Sequence, residues 1–93
     1  MADIKVLATP RFSKIIKKVS DKEKLKIDEV IKLIIKNPEI GEQKKGDLSN
    51  IFFYKFNLNN KKYLLAYMFD ERSLTLLTLG VHENFYRDLK NML

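Results

Sequence analysis

The chain has 93 residues, of which 45% are apolar and 32% charged; it contains no cysteine, and its formal net charge is +6. That profile predicts one folded domain with a modest core, and it excludes disulfide frameworks, thiolate nucleophiles and cysteine-based zinc sites. A single histidine, His82, also excludes a histidine-rich metal site, while the excess of lysine and arginine draws such a protein toward polyanions or dresses a solvated surface.

The first element is a short strand, with Ile4, Val6 and Ala8 alternating with Lys5 and Leu7 and ended by Thr9-Pro10. Phe12, Ile15, Ile16 and Val19 then fall at i, i+3, i+4 and i+7, the apolar stripe of a helix that turns Lys14, Lys17 and Lys18 elsewhere. Ser20 followed by Glu23 is a capping box that starts a second helix. Its buried face is expected to hold Ile27, Val30, Ile31 and Ile34, widened by Leu25, Leu33 and Ile35, with an end at Asn37-Pro38. The stretch "EIGEQKKGDLSN" has two glycines, clustered charge and no apolar period, and is expected to be a loop carrying Lys44 and Lys45.

Beyond that loop the period changes to two. Phe52, Tyr54, Phe56 and Leu58 make one strongly apolar strand face, and Ile51, Phe53, Lys55 and Asn57 a mixed one. A turn over Asn57 to Asn60 leads into "KKYLLAYMF", apolar on both faces and therefore expected in the middle of a sheet. Asp70-Glu71-Arg72-Ser73 is a second turn, residues 74–81 a third strand, and residues 84–93 a final short helix. The fold class expected is α+β, an antiparallel sheet of the N-terminal strand plus a three-stranded meander, packed against the two-helix hairpin in a single domain over residues 1–93. One sheet face stays partly open with a basic rim, a shape that can hold an extended polyanion. No apolar run approaches the roughly 20 residues of a membrane span, and the start lacks a secretory signal, so a cytoplasmic protein is expected.

This layout, together with "KKGDLSNIFFYKFNLNNKKYLLAYMF" and the terminal "LTLLTLGVHENFYRDLK", resembles the RelE/ParE superfamily of toxins from type II toxin-antitoxin systems. The most specific part is the end, where a strand runs into a glycine, a histidine and an aromatic four residues later. The resemblance implies a small toxin neutralised by a cognate antitoxin. In its RelE branch it implies cleavage of messenger RNA on the ribosome, without a metal or other cofactor, by attack of the ribose 2′-hydroxyl on the adjacent phosphate. The ParE branch implies inhibition of DNA gyrase instead.

Metal-free RNA cleavage needs a proton acceptor, a proton donor and cations around the phosphorane charge. His82 matches the histidine that is catalytic in several RelE-like nucleases, and an imidazole with an ordinary pKa of about 6.5 suits proton transfer; the other reading is a surface histidine bonded to the following turn. Tyr86 matches an aromatic that stacks on a base or donates from its hydroxyl, with a core position as the rival. Phe85 and Leu89 are the buried pair expected beside it. Lys44, Lys45, Lys55 and Arg87 are the candidates for phosphate contact, and Glu83 for a base or a helix-terminal charge. One departure stands out. Where many RelE-like nucleases carry a central-strand arginine in a stretch like "YRLIY", this chain has Tyr63-Leu64-Leu65-Ala66-Tyr67, which keeps a gyrase inhibitor and an inactive, antitoxin-binding homologue as alternatives.

Overall fold

A computed structural model describes residues 4–43 and 50–81. A short strand β1 (Lys5–Ala8) leads into helix α1 (Pro10–Lys18) and helix α2 (Asp21–Lys36). After a 3-10 turn over Pro38–Ile40 come strands β2 (Glu42–Gln43), β3 (Phe52–Leu58), β4 (Lys61–Phe69) and β5 (Ser73–Val81). The five strands form one sheet in the order β1-β5-β4-β3-β2. The α+β class and the helical hairpin on one face are as the sequence predicts, and β4 is the central strand.

Two details of the sheet differ from that expectation. Strand β1 joins β5 in parallel, Lys5 opposite Ser73 and Ala8 opposite Leu76, while every other pairing is antiparallel. Its chain crosses both helices before returning to the sheet, and a crossover of that kind, unlike a tight hairpin, can deliver a parallel neighbour. Strand β2 lies in the segment expected to be a loop, where Glu42 and Gln43 pair with Phe53 and Phe52.

Local chemistry fixes each helix start. Thr9 caps α1 by accepting from the Phe12 amide at 3.1 Å, with Pro10 at the first helical position, where its missing N–H costs nothing. Ser20 and Glu23 form the full capping box: the Ser20 Oγ accepts from the Glu23 amide and Glu23 Oε1 accepts from the Ser20 amide. Glu23 Oε2 also accepts from Asn59 Nδ2 at 2.6 Å, tying the β3–β4 hairpin tip to the start of α2. Asn59 and Asn60 have φ of 52° and 66°, the left-handed pair that a two-residue hairpin turn requires and that asparagine tolerates.

The main core lies between helices and sheet: Phe12, Ile27, Val30 and Ile34 pack on Phe56, Leu58, Leu65, Tyr67, Leu74, Leu76 and Leu79. Leu25 and Leu33, expected to widen the buried face of α2, are instead 66% and 45% exposed. Ile27, Val30 and Ile34 form the buried line of α2, Ile31 and Ile35 pack half-buried beside it, and Leu25 and Leu33 fall outside that face. A second apolar cluster of Ile51, Phe53, Leu64, Ala66 and Leu77 occupies the opposite sheet face.

Two hydroxyls fasten the helical layer to the sheet. The fully buried Tyr67 donates to the Pro38 carbonyl at 2.6 Å and accepts from the Gly41 amide at 2.9 Å. Burial holds its phenol above the usual tyrosine pKa, against the opposing pull of the Gly41 N–H. Gly41 is extended at φ −77°, so its glycine serves close approach, since a Cβ there would overlap the Tyr67 hydroxyl. Thr9 Oγ1 donates to the Leu77 carbonyl at 2.6 Å, at the irregularity where the β4–β5 register shifts.

Removing the Tyr67 hydroxyl strands a carbonyl and an amide, so Tyr67→Phe is expected to cost about 1–3 kcal/mol in denaturant unfolding. Gly41→Ala is destabilising in the parent and less so when combined with Tyr67→Phe, which removes the overlapping atom; a strictly additive cycle would contradict the contact.

The acid limb of stability is a second test. Backbone hydrogen bonds from Ser20 hold the Glu23 carboxyl below its usual pKa, and those from Arg72 and Ser73 do the same for Asp70. A depressed carboxylate contributes stability that is complete above its unfolded pKa and is lost as pH falls through the folded one. Melting temperature is therefore expected to decline below about pH 4.5, and less steeply in the Glu23→Gln, Asp70→Asn variant.

Candidate functional site

Strand alternation positions the one phosphate candidate that lies among the described residues. Phe52, Tyr54, Phe56 and Leu58 turn to the helices, so Lys55 turns to the opposite face, and it is exposed there. Its register partner is Leu64 on β4, whose partner on β5 is Gly80. Lys55, Leu64 and Gly80 thus make one row across the face opposite the helices, spanning two strand spacings or about 10 Å between the outer backbones. Gly80 adds no side chain to that row.

The row ends two residues short of His82, and two residues of chain reach at most about 7 Å. His82, Glu83, Phe85, Tyr86, Arg87 and Leu89, with the expected final helix, lie outside the described residues, as do Lys44 and Lys45. The backbone on either side of Lys44 and Lys45 is described. Gln43 pairs with Phe52, whereas Val81, beside His82, pairs with Tyr63, which faces Phe56. Those two rows stand four residues apart along β3, about 13 Å. The strands that lead to Lys44 and to His82 therefore leave the sheet toward opposite ends.

The position of the expected central-strand arginine is now fixed in space. Leu64 lies on the same face as Lys55, fully buried with Phe53, Ala66 and Leu77, so that part of the face is apolar and closed to solvent. The double-sided apolar run "YLLAYMF" was its signal in the sequence. At the margin of this face Lys55 and Asn57 are exposed. Among the described residues no group of three histidine, cysteine, aspartate or glutamate side chains stands together to hold a metal, and no helix is long and apolar enough to cross a membrane.

Since Lys55 is exposed on its strand, Lys55→Gln is expected to leave the thermal melt unchanged. A large drop in melting temperature would show that its role is structural.

The family described as ParE-like toxin of type II bacterial toxin-antitoxin system matches residues 6–90. Among solved structures, a mutant of the E. coli toxin RelE in the free state is similar with a TM-score of 0.70 and 19% identity, all of both chains being covered. A chain of the intact E. coli RelBE toxin-antitoxin complex gives 0.67 and 17%, over 85% of this chain and 96% of that one. The YoeB dimer from Staphylococcus aureus gives 0.66 and 25%, over 87% and 99%. At 17–19% identity the RelE likenesses concern the fold. No curated protein matches the sequence.

Proposed function

The chain belongs to the ParE-like toxins of type II bacterial toxin-antitoxin systems, and from that premise we propose that it is a RelE-like, ribosome-dependent endoribonuclease of messenger RNA, neutralised by a cognate antitoxin in the cytoplasm. The observation that carries the reading is the end of β5. An imidazole, a phenol and a guanidinium follow within six residues of Val81, on a strand whose Gly80 shares a row with Lys55.

In this reading the ribose 2′-oxygen attacks the adjacent phosphorus as its proton passes to a base, and the departing 5′-oxygen takes a proton as its bond to phosphorus breaks. His82 serves proton transfer, since neutral imidazole accepts and imidazolium donates near neutral pH. Tyr86 stacks on or orients the target nucleotide. Lys55 and Arg87 meet the phosphate charge that grows in the transition state, with Lys44 and Lys45 holding RNA farther along the chain. No step needs a metal. The antitoxin follows from the family, and the E. coli RelBE complex offers the analogy of such a pair.

A second reading has a specific observation in its favour. The fully buried Leu64 stands where a RelE-like nuclease would carry arginine, and a ParE-like inhibitor of DNA gyrase needs no phosphate clamp at that position.

Induction in cells followed by mapping of RNA 5′ ends distinguishes the two. The nuclease reading expects new 5′ ends within translated messages, and a drop of about 10²–10⁴-fold in cleavage for His82→Ala, with growth restored. Growth arrest with loss of supercoiling and no new 5′ ends would establish the gyrase reading instead, and a fully toxic His82→Ala variant would remove the imidazole from the mechanism.

A further inference from the structure

Helix α1 carries four cations in nine residues, Arg11, Lys14, Lys17 and Lys18, and no acidic residue. Three of them, Arg11, Lys14 and Lys18, fall at i, i+3 and i+7, so they form one stripe about 10 Å long on the outer surface of the helix. All three are exposed, and together with the half-buried Ile15 they line a shallow groove. None of them has an ion-pair partner among the described residues. The stripe is held rigidly, because Phe12 is buried in the core on the other side of the helix and Thr9 ties the N-terminus to β5. It also lies on the helical side of the sheet, away from Lys55.

We propose that this α1 stripe is a docking surface for the phosphate backbone of folded RNA, separate from the face on which the cleaved strand is read. The inference rests on the ribonuclease reading above, since an enzyme that acts inside an RNA-rich assembly gains from a second, sequence-independent grip on its scaffold. Three fixed cations with no competing carboxylates suit a phosphate backbone, where charge and not base identity is recognised. An acidic membrane is the poorer fit. A helix that lies in a bilayer surface must insert its apolar face, and the apolar face of α1 is committed to the sheet.

The test is binding of the whole protein to a blunt RNA duplex as a function of salt, for the parent, for Arg11→Gln, Lys14→Gln, Lys18→Gln, and for a charge-matched α2 control, Lys26→Gln, Lys32→Gln, Lys36→Gln. Glutamine keeps the helix propensity of the residues it replaces, and melting curves verify the fold. The α1 variant is expected to reduce the slope of log affinity against log salt by about 2–3, the loss of three phosphate contacts, while the α2 control reduces it much less. An equal loss in both would mean that only net charge matters, and an unchanged α1 slope, or parent binding to anionic lipid vesicles in place of RNA, would overturn the docking surface. Transcript cleavage is scored separately. A parent that grips the duplex through α1 but cuts nothing sinks the nuclease reading alone, and one that cuts normally with an unaltered α1 slope sinks the docking surface alone.

Discussion

The architecture depends on one phenol. Tyr67 sits at the centre of the middle strand, with Phe52 stacked at 5.7 Å and Phe69 tilted at 6.4 Å, and its side chain is fully buried in the main core. A buried hydroxyl without partners is costly, so wherever that oxygen lies a donor and an acceptor must be brought to it. Pro38 and Gly41 supply them, which fixes the chain leaving α2 over the centre of the sheet and seats Glu42 and Gln43 as a strand against β3. Burial in turn favours the neutral phenol, the form that can donate.

Thr9 plays the matching part at the other end of the helical layer, and its position explains how β5 ends. Leu74 and Leu76 face the helices, but the register shift opposite Ala66/Tyr67 moves the alternation by one, so that Leu79 faces the helices and Thr78 and Gly80 the opposite side. Bulges of this kind re-aim a strand. Without it Gly80 would turn inward and the row with Leu64 and Lys55 would not form. The Leu77 carbonyl at this irregularity finds its donor in the Thr9 hydroxyl, which also caps α1. One threonine therefore couples the start of the helical layer to the parity with which the chain approaches His82.

Much of this was legible in the sequence, for reasons particular to each element. The α1 stripe, the Ser20–Glu23 box, the turn within Asn57 to Asn60 and the change from period 3.6 to period two all act over a few residues, so local pattern determines them. What escaped depends on partners remote in the chain. The parallel seat of β1, the two-residue β2 and the Tyr67–Gly41 contact are set by how layers meet, and Leu25 and Leu33 stay wet because they lie off the face of α2 that meets the sheet. For the site, alternation sufficed to put Lys55 on the face opposite the helices, and the missing arginine could be read directly at Leu64. Convergence of His82, Tyr86, Arg87, Lys44 and Lys45 is a matter of tertiary arrangement, which spacing in the sequence does not encode.

The distribution of exposed apolar surface bears on how such a toxin could be silenced. Val6 and Leu7 on β1, Leu25 and Leu33 on α2 and Ile40 just after it are each between 41% and 66% exposed. Strand β1 is an edge, yet it is only four residues long, begins with Lys5 and gives way to Pro10, features that discourage casual pairing with another sheet. A partner with its own ordered strand or helix gains more from these sites than a random collision does. Under the proposed reading, an antitoxin seated on α2 would lie on the far side of the sheet from Lys55 and leave that residue open. Neutralisation from there must act by keeping the toxin off its RNA scaffold, or by an arm that passes the sheet edge to reach the other face. The two differ in what a truncated antitoxin could still do: loss of the arm abolishes the second kind of inhibition and spares the first.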